Sequence, residues 1–151
     1  MVLWWCMTIR KTHHTTYDTK YHLVWTPKRR RHVRDENVRK VIEEAIKEIA
    51  ANHNMEIDEL EMSEDHVHVF LSFPPRYSIS WVVGLLKSVS SSIAQKQFPE
   101  LLEQLRLYRT NLWERGFFVR TVGDKVTAEI IKNYIKYHRT DEVNPNQPKL
   151  F

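Results

Sequence analysis

The chain has 151 residues, 42% hydrophobic and 11% aromatic, with a formal net charge of +4 at pH 7, enough to bury one core and hardly two. Its lone cysteine, Cys6, excludes an intramolecular disulfide and a cysteine-based zinc cluster, suits a reducing cytoplasm, and leaves imidazole, carboxylate or amide groups to bind any metal. With only three glycines, Gly84, Gly116 and Gly123, neither a Walker loop nor a dinucleotide fingerprint can be built, so no nucleotide cofactor is expected.

The opening MVLWWCM is apolar but has no basic residue before it and stops at Thr8, too short for a membrane span or a secretory signal. Residues 1–16 are read as an arm that packs down or covers a dimer partner. TKYHLVWTP then alternates Tyr21, Leu23 and Trp25 against His22, Val24 and Thr26, a first strand that ends at Pro27. Directly after it, KRRRHVR sets five cations within the seven residues 28–34. Charge runs are usually solvated loops, but this density favours phosphate, and so nucleic acid over an acidic protein or a membrane.

DENVRKVIEEAIKEIAANH places Val38, Val41, Ile42, Ala45, Ile46 and Ile49 at helical spacing behind Asp35 as a cap. MEIDELEMS and DHVHVFLSF follow as two alternating runs joined by a short acidic turn around Glu64, a hairpin. After PPRYS, helical spacing returns through Trp81, Leu85, Val89, Ile93 and Phe98, with Ser78 as cap and Pro99 as stop. LLEQLRLYRT is read as a short helix and loop, LWERGFFVRTVG as a last strand, and KVTAEIIKNYIKYHR as a final helix before a polar tail, residues 141–151. This order predicts one α+β domain over residues 17–140. It is a ferredoxin-like (RRM-like) plan, with a four-stranded antiparallel sheet, helices on one face, a free second face and an added C-terminal helix.

Within the hairpin, His66 and His68 alternate with Val67, Val69 and Leu71. Successive strand residues point to opposite faces, so both imidazoles aim one way while the apolar row packs inward. That is a geometry for two metal ligands, although a half-exposed strand with two polar residues has the same pattern. Asp65 either supports His66 or makes the turn, and the turn is favoured. In the final helix Tyr134 and His138, four apart, share a face, beside Tyr137 and a turn after Ile131.

DHVHVF resembles the HUH motif, and IIKNYIKYH resembles the nucleophile helix of single-tyrosine HUH transposases of the insertion-sequence 200/605 type. YHLVWTPKRRR is similar to that family's first strand and basic loop, LLKSVSSSIAQKQFP to its middle helix, and LWERGFFVRTVG to its last strand. The resemblance runs from about Tyr17 to His138. It implies a DNA transposase that cuts and rejoins single strands through a covalent 5′-phosphotyrosine and recognises hairpins at element ends. Tyr134 is then the nucleophile, and His66 and His68 are ligands of a divalent metal ion, Mg²⁺ or Mn²⁺. His138 stands where the family usually has a glutamine ligand. An all-nitrogen set leans away from Mg²⁺. Relatives are expected to be homodimers with composite active sites, joined edge to edge.

By charge and position, Lys28, Arg29, Arg30, Arg31, Lys87, Arg115 and Arg120 are expected to line a groove for DNA phosphates. Trp113, Phe117 and Phe118 can stack bases, with core packing the better reading for at least one ring. A nonenzymatic RNA-binding domain is the rival, because RGFFVR partly echoes the RNA-recognition signature. It leaves His66, His68, Tyr134 and His138 unexplained. A metal-dependent nuclease without a tyrosyl intermediate is a third reading.

Overall fold

A computed structural model of the chain describes residues 9–108 and 111–122. A minor hairpin comes first, β1 (Arg10–Lys11) with β2 (Thr16–Tyr17). It falls across the end of the expected arm and is pinned to the main sheet by charge. The Arg10 guanidinium, almost wholly covered, meets Glu56 at 2.6 Å and Asp58 at 3.9 Å.

The main sheet has β3 (Tyr21–Trp25), β4 (Glu56–Met62), β5 (Val67–Ser72) and β6 (Phe118–Thr121), in the spatial order β4-β5-β3-β6, antiparallel throughout. Two long helices, α1 (Glu36–Asn52) and α2 (Ile79–Gln97), supply the crossovers, and a single turn, α3 (Leu101–Gln104), follows. This is the ferredoxin-like order expected from the sequence.

The helices start where capping chemistry allows. The Asp35 carboxylate accepts from Asn37 N, and Ser78 Oγ accepts from Trp81 N, each satisfying a backbone donor that the first turn leaves open. Leu23, Trp25, Val67, Val69 and Leu71 face the helices and close over Ile42, Ile46, Val82 and Leu86 in one core. Replacing Ile46, fully buried, with alanine removes the side chain beyond Cβ and leaves a void. We expect a loss of about 2–5 kcal/mol, read as a lower denaturant midpoint at unchanged slope.

Two expectations need correction. The last strand is shorter than the run LWERGFFVRTVG, because Leu112 and Trp113 are core residues buried beside Trp25, and Gly116 sits at φ +82° in a loop. That loop is stitched to the end of β3 by Lys28 N to Leu112 O, 2.8 Å, and Glu114 N to Thr26 O, 2.9 Å. The second sheet face is not free either. His22, Val24, His68, Phe70 and Ser72, which alternate with the core row, are all buried. Val24 and Phe70 are apolar, and leaving such a row in water is unfavourable. The expected final helix, the tail, and the MVLWWCM stretch lie outside the described residues.

Candidate active site

The register of β3 on β5 sets Val24 opposite His68 and His22 opposite Phe70. Both histidines therefore project from the face away from the helices. His66 stands one residue before β5, at the mouth of the β4–β5 turn, where Ser63 N donates to His66 O at 2.9 Å and fixes the backbone. The rings of His66 and His68 lie 4.4 Å apart at 76°. The strand thus delivers the paired imidazoles that the alternation implied.

Their orientation comes from neighbours. Asp65 Oδ1 lies 2.6 Å from His66 Nδ1, with Ser63 Oγ 3.1 Å from the same nitrogen. The hydrogen bond from His66, followed by nearby positive charge, holds the Asp65 carboxyl down at about 2 despite partial burial. An ionised carboxylate that engages Nδ1 directs Nε2 outward as the donor nitrogen, the usual support of a metal-bound histidine. The favoured reading of Asp65 as a mere turn residue is therefore corrected: it braces His66. On the other ring, His68 Nδ1 lies 3.3 Å from His22 Nε2.

Two imidazoles held in this way fit a divalent cation as part of its ligand set. Among the described residues no group of three or more His, Cys, Asp or Glu side chains is placed to hold a metal. His138, the expected third ligand, and Tyr134, the expected nucleophile, lie outside the described residues. Asp65→Asn, which keeps size but removes the charge that orients His66, is expected to weaken Mn²⁺ binding by about 10–100-fold. Isothermal titration measures this directly, and unchanged affinity would show that Asp65 serves the turn alone.

Charge gathers beside this pair. Arg30 Nη2 reaches Asp65 Oδ2 at 3.3 Å, so one carboxylate touches both His66 and the basic loop. A 3-10 turn, Lys28–Arg30, carries Arg29 and Arg30 at φ 55° and 51°, a left-handed conformation that costs roughly 1–2 kcal/mol for each non-glycine residue. Bonds from Arg30 N to Pro27 O and from Arg29 N to the Glu114 carboxylate hold it. The result is a concavity of about 470 Å³ lined by Arg29, Arg30, Arg31, His32, Arg34 and Arg106, with Gln104 and Leu105. No carboxylate is among those lining residues. Arg106 follows α3 at φ 55°, in the loop expected after that short helix, and only the fold reveals it as part of this cleft.

The remaining candidate residues are not gathered there. Lys87 donates from Nζ to Glu114 O at 2.6 Å and to Gly116 O at 3.0 Å, and burial lowers its pKa. It ties α2 to the loop before β6, an internal role the sequence did not signal. Arg115 is exposed on that loop, at a second groove of about 630 Å³ lined by Lys87, Ser88, Ser92, Lys96 and Asn111 among others. Arg120 is exposed on β6 opposite His22, on the histidine face. Trp113 belongs to the core and donates from Nε1 to Ser90 Oγ at 3.2 Å, whereas Phe118 lies edge-on to His22.

The profile of the family described as "Transposase IS200 like" matches residues 15–138. The chain belongs to that family. It is 37% identical over 129 residues to the transposase for insertion sequence element IS200 of Salmonella typhimurium, covering 85% of this chain and 82% of that protein. To the ISDra2 transposase TnpA of Deinococcus radiodurans it is 30% identical over 132 residues, covering 87% and 93%. A crystal structure of a candidate transposase from Deinococcus radiodurans superposes with a TM-score of 0.68 at 26% identity, over 86% of this chain and 95% of that one. A REP-associated tyrosine transposase bound to a REP hairpin shares the fold, with a TM-score of 0.54 at 13% identity over 84% of this chain and 70% of that one. Membership in the IS200-like transposases sets aside the RNA-recognition rival. No helix among the described residues is long and apolar enough to cross a membrane.

Proposed function

We propose that this transposase cleaves and rejoins single-stranded DNA with Tyr134 as nucleophile, aided by a divalent cation held at His66, His68 and His138. The observation that carries the reading is the His66–His68 pair, braced by Asp65, with the arginine cleft attached to the same carboxylate. A bound cation would polarise the scissile phosphate and ease departure of the 3′ oxygen. Tyr134 Oη gives up its proton as it attacks phosphorus, a bond forms between them, and the bond to the 3′ oxygen breaks. The departing strand end takes up a proton as a 3′ hydroxyl. Rejoining is the reverse, attack by a 3′ hydroxyl on the phosphotyrosine, so the bond energy is conserved and no nucleotide is consumed.

Arg29, Arg30, Arg31, Arg34 and Arg106 grip the phosphates of a folded strand in this reading, with Lys28, Arg115 and Arg120 extending the contact. One relative by fold was solved with a REP hairpin, and we carry hairpin recognition at the element's ends to this chain as part of the proposal. Two of the three ammonium donors of Lys87 are already engaged within the fold, which leaves it the weakest of the expected DNA contacts.

The chain is further proposed to act as a homodimer with each active site shared. Mixing a Tyr134→Phe subunit with a His66→Ala subunit and allowing exchange should then restore adduct formation; heterodimers that form yet stay inactive exclude tyrosine action in trans. The decisive experiment for the whole reading incubates the protein with Mn²⁺ or Mg²⁺ and end-labelled single-stranded DNA from the flanks of its own gene. A denaturation-resistant protein–DNA adduct is the expected result. Cleavage without an adduct would favour a hydrolytic nuclease, which has the same histidines but uses water.

A further inference from the structure

We propose that His22 is a positioning residue of the metal site, whose Nε2 accepts the Nδ1 proton of His68 and so holds His68 in the tautomer that can bind a cation through Nε2. This rests on the metal reading of His66 and His68 above. His22 lies outside the His-x-His motif by 46 positions in sequence. It reaches His68 because antiparallel pairing puts Val24 opposite His68, making His22 the diagonal neighbour on the same face.

The physical argument is one of proton placement. His22 Nε2 and His68 Nδ1 are 3.3 Å apart with ring planes 9° from parallel, and the two residues are only 2% and 3% exposed. A hydrogen bond between two imidazoles needs one protonated and one bare nitrogen. A neutral histidine that binds metal through one nitrogen keeps its proton on the other. If His68 donates from Nδ1, its Nε2 is bare and can ligate. If His22 instead donates from Nε2, the His68 proton must sit on Nε2 and block that nitrogen. The two polarities are mutually exclusive, and burial keeps bulk water from substituting for the missing partner. Asp65 sets the polarity of His66 by charge, and His22 sets that of His68 by accepting. Each ligand ring thus has its own brace, one carried by the turn and one by the neighbouring strand.

The test uses the full chain and Mn²⁺ alone. His22→Phe keeps a flat ring but removes the acceptor, and His22→Gln returns an acceptor as a side-chain carbonyl. Isothermal titration should show Mn²⁺ affinity reduced about 10–100-fold in His22→Phe and largely recovered in His22→Gln. In the metal-free wild type, nitrogen-15 NMR of the ring should find the His68 proton on Nδ1. Wild-type Mn²⁺ affinity in His22→Phe, at a site that His68→Ala abolishes, overturns this proposal alone, as does a His68 proton found on Nε2. Failure of the wild type to bind Mn²⁺, or equal binding by His68→Ala, overturns the metal reading and this proposal with it. Should His22→Phe not fold, the wild-type tautomer and the affinity of His22→Gln decide: a proton on Nε2, or a Gln variant as weak as His68→Ala, rejects the assignment.

Discussion

Replacing Tyr134 with phenylalanine is expected to take strand cleavage and the covalent adduct down at least about a thousandfold, to background, while hairpin DNA still binds. The substitution removes only the hydroxyl oxygen, which in the proposed reaction forms the bond to phosphorus. A free tyrosine has a pKa of about 10 and is a weak nucleophile at neutral pH, so it must be activated in place, and no other group inherits that activation once the oxygen is gone. Binding survives because the arginine cleft at Arg29, Arg30, Arg31, Arg34 and Arg106 is formed by the β3 loop and the end of α3. Denaturing gel electrophoresis of labelled single-stranded DNA reads the adduct, and a mobility shift reads binding. Undiminished adduct would move the assignment to Tyr137.

The second large effect is expected from His66→Ala combined with His68→Ala. Two of the three proposed nitrogen donors disappear together, so specific Mn²⁺ binding should fall beyond detection and cleavage with it. The cleft contains neither residue, and affinity for hairpin DNA in the absence of metal should be close to that of the wild type. His138→Gln is the informative contrast. An amide oxygen replaces an imidazole nitrogen, which shifts preference towards the harder Mg²⁺, so activity should persist with a changed metal profile. If His138→Gln is as inactive as the double alanine variant, His138 is not an exchangeable ligand.

Much of this protein was legible from local chemistry. The caps Asp35 and Ser78, the helical spacing of Ile42 and Ile46, and the alternation of Val67, Val69 and Leu71 each act within a few residues, so α1, α2 and the β4–β5 hairpin stand where the pattern placed them. The last strand was overread for the same reason. Leu112, Trp113, Phe117 and Phe118 look like one apolar run, and only the packing of Trp113 beside Trp25 and the positive φ of Gly116 divide it.

Sequence alone determined the order of the main sheet's strands and the two long helices, the pairing of His66 with His68 and the basic loop, because each is written in neighbouring residues. Tertiary structure decided what those residues meet. It set His22 against His68 across β3 and β5, joined Arg30 to Asp65, brought Arg106 to the basic loop, and engaged Lys87 with the carbonyls of Glu114 and Gly116. These contacts link residues tens of positions apart in the chain. Strand register and crossover packing fix them, whereas local periodicity does not encode which distant side chain will complete a hydrogen bond.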